Sequence, residues 1–333
     1  MLILTRRDVQ AALRMNDALR AAEAGLAAYS AGEADVPLRA NIGTAAGVNL
    51  YMPGLLRGSG ALGAKLVSIH PGNVSIGLPT VLAVMVLQDA TSGAPLAVME
   101  ASYLTAVRTG AAAGVATSYL AREDAAKVLL IGGGAQGRTQ VQGVRAVRKV
   151  SHLVVCDLNR ATAEAAASEI AADEVPGGGD LSVTISDDSD AWVAWADIII
   201  CATTSRRPVF KGELVRPGTH INAIGAYTPE MQELPPEVLV RADRVVCDAR
   251  AAAWQEAGDL VIPFRRGLID SNRVDAELGD LVLGRSPGRV RPEQITIYKG
   301  VGLAALDLAA AQATYVKALE LGLGSEIELL AQA

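Results

Sequence analysis

A glycine-rich turn between two apolar segments constrains the fold of this 333-residue chain more than any other feature. An apolar run at 127–131 leads into Gly-x-Gly-x-x-Gly at 132–137, and a second apolar run at 152–156 ends at Asp157. In a strand–turn–helix–strand unit, the first glycine makes the tight turn, the second lets a pyrophosphate approach the backbone, and the third packs the helix on the strand. An acid after the second strand accepts hydrogen bonds from ribose hydroxyls. The sequence therefore predicts a dinucleotide site.

The same pattern indicates which residues contact the dinucleotide. The turn and the helix N-terminus behind it offer free backbone amides to the phosphates. Segments 202–205 and 223–226 end later apolar strands, at the edge where parallel sheets bind ligands. For 202–205, ordinary turn and N-cap chemistry is the alternative. The predicted cofactor contacts are Gly132, Gly134, Ala135, Gln136, Gly137, Asp157, Leu158, Asn159, Arg160, Thr203, Thr204, Ala223 and Gly225.

Strand-like and helical segments alternate from about residue 123 onward, which is typical of a parallel sheet covered by helices. The chain also exceeds the roughly 250–300 residues at which a single core stops growing. We predict an α/β fold with a doubly wound parallel (Rossmann) sheet at 119–299 and a smaller α+β domain at 1–118 with 300–333. Helices are predicted at 14–29, 105–119, 138–147, 161–172 and 302–321, and a loop at 176–180. The last helix is apolar enough to need a partner surface, either the first domain or another subunit.

Charge and apolar patterning exclude several classes of protein. The formal net charge is −6 and no basic run is present, which argues against a nucleic-acid partner. The longest apolar stretch, 76–87, contains a proline and is shorter than the roughly 18 residues of a membrane span. The N-terminal apolar segment is too short for a signal peptide. The three cysteines lie in strand-like runs without a Cys-x-x-Cys pair, so we expect a cytoplasmic protein with no metal site.

Three cations of the first domain stand in apolar surroundings. Arg39 follows Val-Pro-Leu, Lys65 lies inside an apolar strand, and Arg108 enters a helix of small residues. Buried cations need either acidic partners or a bound anion. Arginine holds a carboxylate with a rigid fork, and lysine acts as a point charge. The pattern alone leaves structural ion pairs and a carboxylate site as the alternatives.

Taken in order, several segments identify the chain as similar to the ornithine cyclodeaminase/mu-crystallin family over essentially its full length. The matching segments are 37–39, 64–67, 104–109, 132–137, 221–226, 233–234, 256–259 and 298–302. The resemblance implies a homodimer, with a substrate-binding and dimerisation domain formed by the N-terminal region and the last helix. It further implies that Arg39, Lys65 and Arg108 surround a substrate α-carboxylate, that Thr80 is an active-site residue, and that Thr109 and Gly300 contact the cofactor.

The sequence departs from the cyclodeaminases at one active-site position. These enzymes carry an aspartate after the Asn-Ala-Ile-Gly strand, as an acid/base group and a contact for ammonium. This chain has Tyr227 there, in Gly-Ala-Tyr-Thr-Pro-Glu-Met-Gln-Glu-Leu. Ornithine carries a second ammonium, which would lack its partner, so ornithine cyclisation is disfavoured. The segment is instead similar to that of Δ1-pyrroline-2-carboxylate reductases. In this chain, Tyr227 would wall the ring side of the pocket, offer a hydroxyl group, or simply pack.

We therefore predict an NAD(P)H-dependent reductase that converts cyclic α-imino acids to L-proline or L-pipecolate. The cations would fix the carboxylate, and Lys65 would also favour protonation of the imine or relay a proton through water. Asp157 favours NADH because it repels a 2′-phosphate, while Arg160 leaves NADPH possible. The alternatives are an alanine-dehydrogenase-like or N-alkyl amino acid forming enzyme, an ornithine cyclodeaminase, and a mu-crystallin-like NADPH-dependent binding protein.

Overall fold

The computed structural model describes residues 1–173 and 180–329. The chain forms two compact units: the first comprises Met1–Arg108 and the chain from Leu303 onward, and the second comprises Thr109–Gly302. The predicted boundary at 118/119 falls inside a helix that begins in the first unit, Ser102–Leu120. The predicted boundary at 299/300 falls just ahead of the observed one. The predicted loop at 176–180 lies outside the described residues, apart from its last residue.

The strands of the described chain are, in order, β1 Leu2–Leu4, β2 Ala34–Asp35, β3 Ala40–Gly43, β4 Val48–Leu56, β5 Ala61–Ile69, β6 Val81–Asp89, β7 Pro95–Glu100, β8 Lys127–Ile131, β9 His152–Cys156, β10 Ser182–Ser186, β11 Ile198–Cys201, β12 His220–Ala223, β13 Arg244–Cys247, β14 Ala276–Glu277, β15 Thr296–Lys299 and β16 Ser325–Glu326. The helices are α1 Arg6–Ala12, α2 Met15–Ser30, α3 Ser102–Leu120, α4 Ala135–Val147, α5 Arg160–Ala172, α6 Asp190–Val193, α7 Pro236–Arg241, α8 Arg250–Glu256, α9 Gly258–Arg265, α10 Leu278–Val282 and α11 Ala304–Leu321. Short 3-10 helices lie at Pro71–Ile76 and Gly212–Leu214.

The first unit is an α+β unit. Its sheet has the order β16-β1-β7-β6-β5-β4-β2, with β3 also paired to β4. Neighbouring strands are antiparallel except β1 and β7. Helix α11 packs on α2 and on β4 and β5 of the same unit. A Cβ at Gly25 would lie 2.8 Å from the carbonyl oxygen of Ala305, so glycine permits this close helix contact. The last helix is therefore partnered within its own chain.

The second unit is a Rossmann unit. All its strands are parallel, in the order β10-β9-β8-β11-β12-β15-β13-β14. The strands β8, β11, β12 and β15 are buried on both faces, except for Lys127 at the start of β8. This burial explains the nearly continuous apolar sequences of β8 and β11, whereas β12 and β15 also bury polar side chains. The order reverses direction between β8 and β11, and such switch points bind ligands at the carboxyl ends of the strands. The predicted α/β fold class is confirmed.

Glycines explain where two helices differ from prediction. Helix α4 begins at Ala135 rather than 138, because Gly134 has an extended conformation (ψ −175°) and serves as its N-cap. Helix α11 begins at Ala304 rather than 302, because Gly302 has a φ of +93°, outside the helical region. Within the described ranges, no helix combines the length and the hydropathy that a membrane span requires.

Candidate active site

The glycine turn of the second unit has the geometry of a dinucleotide loop. Gly132 has a φ of +102°, and a Cβ there would lie 2.6 Å from the carbonyl oxygen of Ala202. A Cβ at Gly137 would lie 2.0 Å from the carbonyl oxygen of Gly132, so this glycine lets α4 pack on the turn. A Cβ at Gly134 would meet only open space, on the side where a phosphate group can approach. The three glycines thus have separate roles.

Asp157 is held at the end of β9 by two backbone amides. Its Oδ2 accepts from Gly133 N at 2.9 Å, and its Oδ1 accepts from Asn159 N at 2.8 Å. The Asn159 side chain caps α5, and Arg160 donates from Nε to Glu164 at 2.9 Å. The Asp157 carboxylate is therefore fixed beside the glycine turn, where an adenosine ribose would bind.

A cavity of about 710 Å³ opens beside this turn. It is bordered by the ends of β8, β9 and β11, which matches the switch point of the sheet. Its lining includes the predicted residues Gly132, Gly134, Asp157, Leu158, Thr203 and Thr204. It also includes residues that the sequence motifs do not indicate, namely Thr162, Asp187, Ser189, Arg207, Pro208 and Val209. The position of Asp187 directly after β10 is the signal that would have found it.

The other predicted cofactor residues also lie in the second unit. Ala135 and Gln136 form the first turn of α4, and Gln136 Oε1 is buried without a hydrogen-bond partner in the described structure. Ala223 ends β12 and Gly300 directly follows the neighbouring β15, and Gly300 N donates to Ala223 O at 3.1 Å. Thr109 lies within α3, and Gly225 lies against Thr203. A glycine turn, free amides and an unpartnered amide oxygen fit a dinucleotide.

In the first unit, Lys65 and Arg108 converge on one carboxylate, that of Asp307. Lys65 Nζ donates to Asp307 Oδ1 at 2.8 Å, and Arg108 Nε lies 2.9 Å from the same oxygen. The Arg108 contact is an ion pair without hydrogen-bond geometry, and Asp307 Oδ2 has no hydrogen-bond partner in the described structure. All three side chains are buried. Two buried cations thus share one anion, which leaves a net positive charge.

Burial lowers the pKa of Lys65 from its usual 10.5 to about 8. The Asp307 carboxylate opposes this effect, whereas the charges of Arg108 and Arg39 add to it. Burial outweighs the ion pair because the amine is almost completely removed from water. Lys65 is therefore protonated at neutral pH and titrates just above it.

Asp307 was not among the residues predicted from sequence. It is the only charged residue between Lys299 and Lys317, in a helix rich in alanine and leucine. A lone carboxylate on such a helix, facing lone cations elsewhere in the chain, is the signal that would have found it.

The remaining predicted catalytic residues are placed as follows. Arg39 is half-buried between β2 and β3, near enough to Lys65 for its charge to act on the amine. Thr80 is half-buried directly before β6, and its carbonyl oxygen accepts from His70 N at 2.9 Å. Tyr227 belongs to the second unit, where it is half-buried in the segment after β12.

Three of the sequence segments that carried the family resemblance meet as a second buried charge cluster, in the second unit. Glu233 accepts from the backbone amides of Thr203 and Gly225, both at 2.6 Å, and of Ala226 at 3.0 Å. Asp259 accepts from Glu233 N at 2.7 Å and forms an ion pair with Lys299 at 3.0 Å. Among the residues that the structure describes, no group of His, Cys, Asp and Glu could hold a metal ion.

A parallel sheet with a switch-point cavity, a glycine turn and an acid after the second strand defines a Rossmann-type dinucleotide-binding protein. A model of the ornithine cyclodeaminase/mu-crystallin family matches residues 1–322, and the chain belongs to this family. The family resemblance expected from sequence is confirmed.

Relatives match along nearly the whole chain. Δ1-pyrroline-2-carboxylate reductase of Bacillus cereus is 38% identical over 330 residues, covering 98% of this chain and 100% of the relative. The structure of Thermococcus litoralis Δ1-pyrroline-2-carboxylate reductase in complex with NADH and L-proline matches with a TM-score of 0.93 and 40% identity, covering 98% of this chain and 100% of that chain. An archaeal alanine dehydrogenase dimer with bound NAD matches with a TM-score of 0.90 and 35% identity, covering 99% of both chains.

Proposed function

We propose that this protein is an NAD(P)H-dependent reductase of cyclic α-imino acids, with Δ1-pyrroline-2-carboxylate and Δ1-piperideine-2-carboxylate as substrates. The products are L-proline and L-pipecolate. The observation that carries the proposal is the buried cluster of Lys65, Arg108 and Asp307. Its net positive charge favours an anion, and a planar α-imino carboxylate supplies one. The relatives named as Δ1-pyrroline-2-carboxylate reductases support the same activity.

The cations of the first unit bind and orient the substrate carboxylate. Arg108 offers its guanidinium fork, Lys65 its ammonium, and Arg39 a third positive charge at the half-buried side. Asp307 keeps the buried cations from repelling one another without cancelling their charge. Fixing the carboxylate fixes the imine carbon, and such positioning supplies much of the rate acceleration in a reaction of this kind. Thr80 and Tyr227 complete the proposed set of active-site residues.

Reduction of an imine adds a hydride to carbon and a proton to nitrogen, and the reduced nicotinamide supplies the hydride when bound. Lys65 is suited to the proton, because its pKa of about 8 leaves it charged yet able to release a proton near neutral pH. A proton from Lys65, direct or through water, converts the imine to an iminium ion, whose carbon accepts the hydride more readily, and leaves Lys65 as the neutral amine.

The second unit would hold NAD(H) through its glycine turn, the first turn of α4 and Asp157. The carboxylate of Asp157 would accept the ribose hydroxyls and repel a 2′-phosphate, so NADH is preferred. The neighbouring structures that contain NADH or NAD support this preference. Arg160 is exposed three residues after Asp157, and Arg207 is exposed in the lining of the cavity. Because an arginine can pair with a 2′-phosphate, we also propose weaker use of NADPH.

We also propose a homodimer, assembled through the open face of the first unit's sheet. Register places Tyr51, Leu66 and Val84 side by side across β4, β5 and β6, and all three side chains are exposed. Val74 and Ile76, in the adjoining 3-10 helix, are each 69% exposed. A monomer rarely exposes so continuous an apolar surface, and a second copy of the chain would cover it. The matching alanine dehydrogenase is a dimer.

We place the protein in the cytoplasm, in keeping with its free, buried cysteines. The activity is tested by following NADH and NADPH absorbance at 340 nm with each cyclic imine, with pyruvate plus ammonia, and with pyruvate plus methylamine. We expect rapid oxidation with a cyclic imine and faster turnover with NADH. Turnover only with pyruvate would favour the alanine-dehydrogenase alternative, which the archaeal neighbour supports. Ammonia release from ornithine without net oxidation of NADH would refute the proposal.

A further inference from the structure

We propose that Glu233 is a positioning residue for the dinucleotide, because its carboxylate ties together the ends of β11 and β12 at the edge of the cofactor cavity. The inference rests on the proposed nicotinamide cofactor. It concerns a residue that would act through the backbone of Thr203 and Gly225 rather than through direct contact with the ligand.

The carboxylate accepts three backbone hydrogen bonds from two neighbouring strand ends. Oε1 accepts from Thr203 N at 2.6 Å, after β11, and Oε2 accepts from Gly225 N at 2.6 Å and Ala226 N at 3.0 Å, after β12. Because these amides follow the last paired residues of the strands, the sheet itself does not bond them. The Glu233 carboxylate therefore takes the place of strand-to-strand hydrogen bonds just beyond the ends of β11 and β12.

The two strand ends approach each other so closely that small displacements matter. A Cβ at Gly225 would lie 2.4 Å from Thr203 N and 2.7 Å from Glu233 Oε1. Thr203 lines the cavity together with Thr204 and Ser205. If the Glu233 carboxylate is removed, Thr203 at this wall of the cavity is no longer linked through that side chain to Gly225 and Ala226.

Glu233 is itself fixed by a second carboxylate. Asp259 accepts from Glu233 N at 2.7 Å and from Leu234 N at 2.8 Å, and it pairs with Lys299. The groups that face Glu233 are thus Asp259, Lys299 and the buried thiol of Cys201. Two carboxylates and one ammonium leave a net negative charge in a dry site, which is costly unless each oxygen is used.

Only the ionised carboxylate matches its surroundings. A protonated Glu233, or a glutamine in its place, would direct an O–H or N–H donor at backbone N–H donors. Burial and the charge of Asp259 raise the pKa of Glu233 to about 7, against the opposing effect of Lys299 and the Thr203 amide. Ordering of this wall is therefore expected to weaken as the pH falls through neutrality.

The strand order of the sheet indicates which half of the dinucleotide depends on Glu233. Strand β9, which directly precedes Asp157, lies on one side of β8, and β11 and β12 lie on the other. If Asp157 binds the adenosine ribose, the nicotinamide half meets β11 and β12. Loss of Glu233 should then weaken NADH more than ADP-ribose, which has the same adenosine and diphosphate but no nicotinamide.

The test measures NADH binding by fluorescence and ADP-ribose binding by calorimetry, with no imine present, for the full-length wild type, Glu233→Gln and the matched control Glu237→Gln. Glu237 is exposed on α7, four residues along the chain. We expect Glu233→Gln to weaken NADH about tenfold or more, as unsatisfied buried donors do, with a smaller effect on ADP-ribose and none in the control. Equal weakening of both ligands, or no weakening, would overturn the inference.

A second measurement does not depend on folding of the variant. In the wild type, NADH affinity should be constant above pH 8 and decrease as the pH falls from 8 to 6, since the unprotonated carboxylate is required. A pH-independent affinity would overturn the inference while leaving the proposed cofactor intact. Failure of the wild type to bind either NADH or NADPH would instead overturn the proposed function.

Discussion

The charge of Lys65 gives a quantitative prediction about carboxylate binding. The ammonium is buried, donates to Asp307 at 2.8 Å, and titrates with a pKa of about 8. Below pH 8 the two buried cations Lys65 and Arg108 face the single carboxylate of Asp307, and above pH 8 one of these two charges is lost. Affinity for a carboxylate ligand should therefore be highest below pH 8 and decrease above it.

The size of the decrease follows from the dry environment of Lys65. A hydrogen bond to a charged group contributes about 1.5–3 kcal/mol, and about 1.4 kcal/mol corresponds to a factor of ten. Deprotonation of Lys65 should thus weaken a carboxylate ligand roughly 10- to 150-fold between pH 6.5 and pH 10. Arginine side chains in general stay charged over this pH range, so the decrease is assigned to lysine.

The assay is calorimetric binding of pyrrole-2-carboxylate to the NADH-saturated enzyme, because this ligand does not titrate between pH 6.5 and pH 10. Lys65→Met should bind it weakly at every pH, with no decrease above pH 8. Lys127→Met, which removes an ammonium from the second unit, should behave like the wild type. A flat profile in the wild type, or an unchanged decrease in Lys65→Met, would show that the charge of Lys65 does not hold the carboxylate.

Three further predictions test other parts of the structure. Asp157→Ser should raise the NADPH/NADH ratio of kcat/KM by about tenfold or more, because a carboxylate facing the 2′-phosphate is removed; an unchanged ratio would contradict the assigned role. Asp307→Asn should destabilise the fold by about 3–5 kcal/mol in urea denaturation, since it leaves two buried cations unpaired, and adding Lys65→Met should recover part of that loss. Leu66→Glu should shift the protein from dimer to monomer in light scattering, whereas Leu268→Glu, an exposed leucine of the second unit, should not; a dimer in both would refute the proposed interface.

The fold was largely predictable because its signals are local. The motif at 132–137 and the buried strands β8 and β11 are continuous in sequence, and parallel strands buried on both faces appear as unbroken apolar runs. Helix limits were less predictable where a glycine conformation decides them. The backbone conformations of Gly134 and Gly302 decide where α4 and α11 begin, and the residue type alone does not reveal these conformations.

The candidate site was predictable only in part, because its charge pairs are distant in sequence. Lys65 and Asp307 are 242 positions apart, so the lone cation gave no indication of which acid it meets. The apolar setting of Lys65 and Arg108 did indicate that both needed a partner, and the structure supplies one carboxylate for the two. The role of Glu233 could not be read from sequence either, because its partners are backbone amides, which every residue type carries.

If an anchored carboxylate makes the imine reducible, an imine that lacks this group should be a poor substrate. The kcat/KM for Δ1-pyrroline-2-carboxylate and for Δ1-pyrroline, which has the same ring and imine without the carboxylate, should be measured with NADH under identical conditions. A carboxylate held by buried cations should make the first substrate better by about a hundredfold or more. Comparable rates for the two imines would contradict the account.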